Sequence, residues 1–369
     1  MLVPLLAAFV IAVLISLALT PLAIRAAWAT GYVDHPGGTY KAHPTATALL
    51  GGVGILLASL LTWFAIESFR ATTARGEALA MLGGALVVVL LGLWDDRHGM
   101  TPIPKMIWQA AAIAVPMAAG IVPDLHLGTA GNMLVTLVAM IGLMNAVNFL
   151  DIMNGMVGGM AAIALAAFGC LSVKHGALGV AAAQFALAGA CVGFLRYNFP
   201  SAKIFLGDAG SLLLGYSLGV SAILAFRGGP QGWAQLAPFF VLAYPAFNMV
   251  FIVIMRLREG RKIYVGDRGQ SNLRLASVIQ CPTRTVLVLW LSGVALSASG
   301  LVVQSLNQAA PTLLLSVLWL ALFLAAGMRL SSVPIAASLP RRTKSLERPS
   351  PARDVHLSSP TRSTGSSGS

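Results

Sequence analysis

Residues 78–96 read ALAMLGGALVVVLLGLWDD, an uncharged run that ends on two aspartates. As a helix, the apolar part would extend roughly 26 Å, close to the ~30 Å hydrocarbon core of a bilayer. An aspartate at the middle of a spanning helix costs about 2.5–3.5 kcal/mol to insert, so the acidic pair marks the place where the chain leaves the membrane. Outward from this stretch the pattern recurs. Apolar runs at 2–24, 48–67, 78–94, 105–122, 132–149, 155–173, 177–196, 211–226, 233–255, 285–303 and 310–329 predict about eleven transmembrane helices joined by mostly short links.

Composition agrees. Hydrophobic residues make up 57% of the chain and charged ones 10%, against about 25% charged in a typical soluble domain. The predicted class is an all-α polytopic membrane protein. The first run is longer than a signal-peptide core and lacks a basic leader, so a retained span is expected. Residues 1–330 form the expected transmembrane domain. Residues 331–369, rich in Ser, Pro, Arg and Thr, are expected to be a disordered basic cytoplasmic tail, since they have little apolar surface to bury. Cys170, Cys191 and Cys281 have no metal-ligand spacing and read as packing residues.

The formal charge of +12 has a topological reading rather than a nucleic-acid one. With the N-terminus outside and sides alternating, 20 of the 24 basic residues fall on the inner side, as the positive-inside rule requires. The same orientation puts Asp34, Asp95, Asp96, Asp151, Asp208 and Asp267 on the inner face, with Glu67, Glu77 and Asp124 outside. Insertion cost explains why aspartates sit at helix ends. It does not explain why six sit at the same end, and a site on the cytoplasmic face does.

Four stretches carry candidate chemistry. Asp95-Asp96, followed by Lys105 and Gln109, offers paired carboxylates for a hard cation or for proton acceptance, with an amine to meet phosphate. A solvated turn with a snorkelling lysine explains the same residues. Asn145, Asn148, Asp151 and Asn154 recur every three residues, so the first two share a helix face and the rest continue into the following link. Helix caps are the plainer alternative. Lys203 precedes Gly207-Asp208-Ala-Gly210-Ser211, where glycines permit close approach and the next helix offers N–H groups to an anion, unless Asp208 is simply an N-cap. The basic loop from Arg256 to Arg284, with Asp267, Arg268, Gln270 and Arg274, is equally a topology-holding loop. His98, His126, His175 and His356 have no partners at ligand spacing.

Over residues 1–330 these motifs, in this order, resemble the polyprenyl-phosphate N-acetylhexosamine-1-phosphate transferases, glycosyltransferase family 4, which initiate bacterial cell-envelope polysaccharides. Asp34-x-Pro with Lys41-x-His43 and Gly51-Gly52 looks like the first cytoplasmic loop of the family. Asp95-Asp96 with Lys105 and Gln109 matches its paired aspartates, and Phe205-Leu-Gly-Asp208-Ala-Gly-Ser211 matches its Gly-Asp-x-Gly-Ser turn. Asn145 to Gly155 is similar to its asparagine-rich motif, with Ile152 where Gly is usual. The histidine cluster that usually follows Asp267-Arg268 is replaced by Gln270-Ser271-Asn272-Leu273-Arg274, neutral amides where imidazoles would stand.

The resemblance implies a Mg2+-dependent phosphotransferase, with Mn2+ as an alternative metal. A lipid phosphate attacks the sugar-bearing phosphorus of a UDP-sugar and expels UMP. It assigns Asp95, Asp96 and Asp208 to catalysis, and Asp208, Asp95, Asp96 and Asp151 to the metal. Lys41, His43, Lys105, Asn145, Asn148, Asp151, Asn154, Lys203, Asp267, Arg268, Gln270 and Arg274 would contact substrate. The replaced histidines point to a donor other than UDP-N-acetylglucosamine. Expected partners are the polyprenyl phosphate carrier, a UDP-sugar and the inner-membrane bilayer, with a homodimer admitted and no nucleic acid. A transporter would need midplane charges and repeated broken helices. A non-catalytic scaffold would explain the lost histidines but not the intact aspartates.

Overall fold

The computed structural model describes residues 2–36, 45–67, 75–261 and 269–334. Lys41, His43, Asp267 and Arg268 lie outside these residues, as does the tail from 335 onward. The described chain runs α1 (Leu2–Thr30), β1 (Val33–Asp34), β2 (Thr47–Ala48), α2 (Gly51–Glu67), α3 (Arg75–His98), α4 (Pro102–Ala118), α5 (Gly128–Leu150), α6 (Met156–Lys174) and α7 (Leu178–Asn198). It continues through α8 (Gly207–Gly228), a short 3-10 turn (Trp233–Leu236), α9 (Ala237–Val241), α10 (Ala243–Arg258), α11 (Ser271–Ile279), α12 (Pro282–Leu306) and α13 (Ala309–Ser331).

Among the described residues eight helices are long and apolar enough to cross a membrane, or nine if the bent pair 233–258 counts as one span. The pair bends by 65° at Leu242. Pro245 supplies a cause, because it has no N–H to give the Val241 carbonyl one turn back. The other two of the eleven apolar runs form α2 and α4, of 17 residues each: α2 is apolar but short, whereas α4, which carries Lys105 and Gln109, falls short in apolarity as well as in length.

Burial is uneven, and this positions the site. Helix α8 is buried along 83% of its most apolar stretch and packs against α2, α3, α5 and α6. Lipid is as apolar as leucine, so helices inside a bundle associate through close packing at small residues. At Gly92 of α3 an added Cβ would overlap the Ala209 backbone, and at Gly52 of α2 it would overlap Gly210. These glycines let three helices meet backbone to backbone at the start of α8.

A small ribbon pins the same spot. Strands β1 and β2 pair antiparallel, with Val33 opposite Ala48 and Asp34 opposite Thr47. Ala48 also forms a parallel bridge to Ile204, and its carbonyl accepts from the Phe205 N–H at 2.7 Å. The first N–H groups of α2, at Gly51 and Gly52, donate to the Phe205 and Leu206 carbonyls at 3.1 and 3.0 Å. The loop before α8 therefore satisfies one end of α2 and is held by it.

Candidate active site

The end of α3 and the starts of α4 and α8 converge with the end of α5. Asp96 faces the α8 terminus from the same side of α3 as Gly92, one turn earlier. Its carboxylate accepts from the Asp208 N–H at 2.8 Å and from the Ala209 N–H at 3.3 Å. It thus caps α8 from another helix, where a negative charge meets the positive end of the dipole. The sequence pointed to free N–H groups here for a substrate anion, or to Asp208 as the cap. Asp96 fills both roles instead. Gly207 makes room for it: φ is +72°, and an added Cβ would lie 2.6 Å from Asp96 Oδ2.

Asp95, one residue earlier, points elsewhere on the helix. Its Oδ1 accepts from the Met100 N–H at 2.6 Å, which closes the turn between α3 and α4. Its Oδ2 lies 2.7 Å from Lys105 Nζ. The same ammonium reaches Asp208 Oδ2 at 2.6 Å. One lysine in the first turn of α4 thus bridges two carboxylates from two other helices, which rules out the solvated-turn reading. Thr101 ends the link, and Pro102 is tolerated where the N–H has no helical partner.

Asn148 completes the surroundings of Asp208. Its Nδ2 donates to Asp208 Oδ1 at 2.8 Å and to Ser211 Oγ at 2.8 Å, and Ser211 Oγ donates back to the Gly207 carbonyl at 3.1 Å. Asn145, one turn deeper, donates to Gln109 Oε1 at 2.9 Å and to the Ile141 carbonyl. Gln109 is fully buried, and its Nε2 has no partner.

Asp151 stands apart. It is the C-cap residue of α5, and its carboxylate makes no hydrogen bond among the described residues. Burial, then the charges of Asp208 and Asp96, push its carboxyl up to about 8. Among the described residues, four carboxyl groups share this locality with one ammonium, that of Lys105, and an added cation would relieve the crowding of negative charge. Oxygen-only ligands suit a hard divalent ion. As arranged, no group of three acidic, histidine or cysteine side chains is poised to hold a metal among the described residues. The oxygens of Asp95, Asp96 and Asp208 are engaged by N–H groups and Lys105, and those of Asp151 remain free.

Other expected site residues fall at the edges. Asn154 donates to the Pro200 carbonyl at 3.2 Å. Ile152 is 41% exposed, so a branched side chain is accommodated where the resembling family has Gly. Lys203 is exposed. Gln270 is buried with its Oε1 unpartnered. Arg274, expected to contact substrate, directs its guanidinium at the backbone near the end of α13. Asn198 was not among the expected site residues. Its Oδ1 accepts from the Gly155 N–H at 2.7 Å and its Nδ2 donates to the Ile204 carbonyl at 2.8 Å. It staples the turn after Asp151 to the loop before Asp208. A buried amide at a helix end beside an X-Pro step was the only signal for it.

Comparison with known proteins bears on this geometry. The family described as glycosyl transferase family 4 matches residues 78–226, which contain Asp95, Asp96, Lys105, Asn148, Asp151 and Asp208. A Bacillus subtilis protein named "Probable undecaprenyl-phosphate N-acetylglucosaminyl 1-phosphate transferase" is 27% identical over 327 residues, covering 86% of this chain and 87% of that protein. The decaprenyl-phosphate N-acetylglucosaminephosphotransferase of Mycobacterium tuberculosis is 30% identical over 294 residues, 70% of this chain and 72% of the relative. The phospho-N-acetylmuramoyl-pentapeptide-transferase of Levilactobacillus brevis is 31% identical over 223 residues, 52% of this chain and 66% of that one.

Proposed function

Since the chain belongs to glycosyl transferase family 4, within its polyprenyl-phosphate N-acetylhexosamine-1-phosphate transferases, we propose that it moves such a sugar-1-phosphate from a UDP-sugar onto polyprenyl phosphate in the inner membrane. The observation that carries the reading is Lys105 shared between Asp95 and Asp208, with Asn148 holding Asp208 and Asp151 left unpaired beside them.

An oxygen of the lipid phosphate attacks the sugar-bearing phosphorus, the bond to the UMP oxygen breaks, and UMP leaves behind a lipid-diphospho-sugar. Such a reaction asks the protein mainly for position and charge balance. A phosphate monoester has its second pKa near 6, so the attacking lipid is already ionised at neutral pH and needs no strong base. That frees the aspartates for other work. Asp96 holds the α8 terminus in place, and Asp95 and Asp208 hold the Lys105 ammonium where an entering diphosphate would meet it. Asn148 keeps Asp208 from rotating. A Mg2+ ion held by Asp208, Asp151 and Asp95, or Mn2+ in its stead, would neutralise charge on the transferring phosphoryl group. Lys41, His43, Asp267 and Arg268 are assigned to substrate by family resemblance.

Counting α2, α4 and the bent α9–α10 pair as crossings makes eleven spans, with the N-terminus outside. The carboxylates then face the cytoplasm, where a soluble UDP-sugar meets a lipid head group. Membranes supplied with polyprenyl phosphate, Mg2+ and a panel of UDP-N-acetylhexosamines test this directly through UMP release. Release should need the lipid, stop in EDTA and return with Mg2+. Full turnover in EDTA, or UMP formed without lipid phosphate, would overturn the reading. The neutral loop at Gln270–Leu273 predicts a preference for a donor other than UDP-N-acetylglucosamine, and strong selection of that sugar would refute the specificity claim alone.

A further inference from the structure

Arg274 is 3% exposed, and its donors are spent on the protein. Nε donates to the Gly269 carbonyl at 3.1 Å, just before α11. Nη1 reaches the carbonyls of Leu330, Ser331 and Val333 at 3.3, 3.2 and 2.8 Å. Nη2 pairs with Glu259 at 3.4 Å, past the end of α10, and the guanidinium lies 5.7 Å from the centre of the Phe251 ring. One planar cation therefore ties together the end of α10, the start of α11 and the last turn of α13. The last carbonyls of a helix lack intrahelical partners, and a cation there also opposes the negative end of the dipole.

The helix it captures is otherwise loosely held. Only Thr312 and Leu330 of α13 are buried. Leu330 packs with Phe251 and Met255, and Phe323 stacks on Phe247 at 4.7 Å. An apolar helix is stable in lipid without such contacts, so the bundle does not need the clamp for α13 to remain inserted. The start of α11 is tied to α10, where the Ser271 N–H and Oγ donate to Asn248 Oδ1 at 3.3 and 2.6 Å. Arg274 adds the tie to α13 beside the buried Gln270, whose Oε1 has no partner.

We infer that Arg274 is a positioning residue: it locks the start of α11 to the last turn of α13, so that the least buried helix holds Gln270 in place for the nucleotide sugar. This rests on the proposed reading that the loop meets the UDP-sugar. The test uses Arg274→Met, Arg274→Lys, a chain ending at Ala325 and a chain ending at Pro334. The chain ending at Ala325 loses the three carbonyls of the clamp, and the one ending at Pro334 keeps them.

Arg274→Met and the Ala325 end should each raise KM for the UDP-sugar about tenfold, with kcat and the lipid KM changing less than about twofold. Combining them should raise KM little further, since both break the tie between α11 and α13. Arg274→Lys should fall between, because a lysine lacks the planar fork. The Pro334 end should match the full chain. Trypsin cleavage after Arg258 and Arg261 in detergent-solubilised protein should quicken severalfold in the same two variants, and this readout needs no turnover. A full-length-like Ala325 chain, additive effects, or unchanged cleavage would overturn the clamp. Failure of the wild-type chain to use any UDP-sugar would instead overturn the functional reading and leave the cleavage result to decide the clamp.

Discussion

Helices α8 and α13 have 22 and 23 residues, and α13 is the more apolar of the two. Yet α8 is 83% buried along its apolar stretch and α13 only 6%. Apolarity selects the membrane, not the centre of the bundle. What distinguishes α8 is its small residues: Gly210, Ser211, Gly215, Ser217, Gly219 and Ser221 lie along it, and Gly215 meets the Met144 backbone of α5 directly. Helix α13 presents Leu314, Val317, Leu320 and Leu324, bulky side chains that fit lipid as well as protein. The proposed chemistry lies at the end of the helix whose position is over-determined, and the inferred adjustment at the end of the one that is loosely held.

The largest break in this comparison should come at the α8 terminus. Asp208→Asn removes the charge that Lys105 and Asn148 both hold, and UMP release should fall about 10²–10³-fold while insertion is unaffected. An Asp208→Asn enzyme turning over at the wild-type rate would end the assignment.

Packing at the same place should come next. Gly92→Val forces a side chain into the Ala209 backbone and should cost roughly 1–3 kcal/mol, seen as a lower Tm in detergent. If Tm does not move, α3 and α8 are not in backbone contact.

A smaller effect is expected from pH. The Asp151 carboxyl, raised to about 8, binds a proton through the neutral range, and that proton competes with a cation. At limiting Mg2+, activity should therefore rise a few-fold as pH goes from 6 to 8, and saturating Mg2+ should flatten the rise. Asp151→Asn should shrink the slope. A slope unchanged in that variant would move the titration to another group.

The smallest should lie on α13. Leu314→Ala and Leu320→Ala should each change stability by less than about 0.5 kcal/mol and leave turnover alone. A marked loss would mean that protein, not lipid, covers this face.

Much of this was legible in the chain. The aspartates and asparagines were identifiable because polar groups are costly in an apolar background and sit at run ends, and their three-residue spacing was enough to put Asn145 and Asn148 on one face of α5. The helix-capping contact of Asp96 was not legible because its partner is a helix terminus 112 residues away, and no local pattern reports that. The backbone contacts of Arg274 were hidden for the same reason, the acceptors being carbonyls 56 to 59 residues on. The bend at Leu242 did have a local signal in Pro245, but the apolar run on either side of it reads as one continuous span.

The sequence alone determined that long apolar helices recur along the chain with charged residues at their ends, because transfer from water to hydrocarbon depends on each side chain by itself. Only the tertiary structure decided which aspartate caps a helix, which shares a lysine and which stays unpaired. Those roles depend on angstrom-scale distances between helix ends, and the distances are set by where glycines let backbones touch.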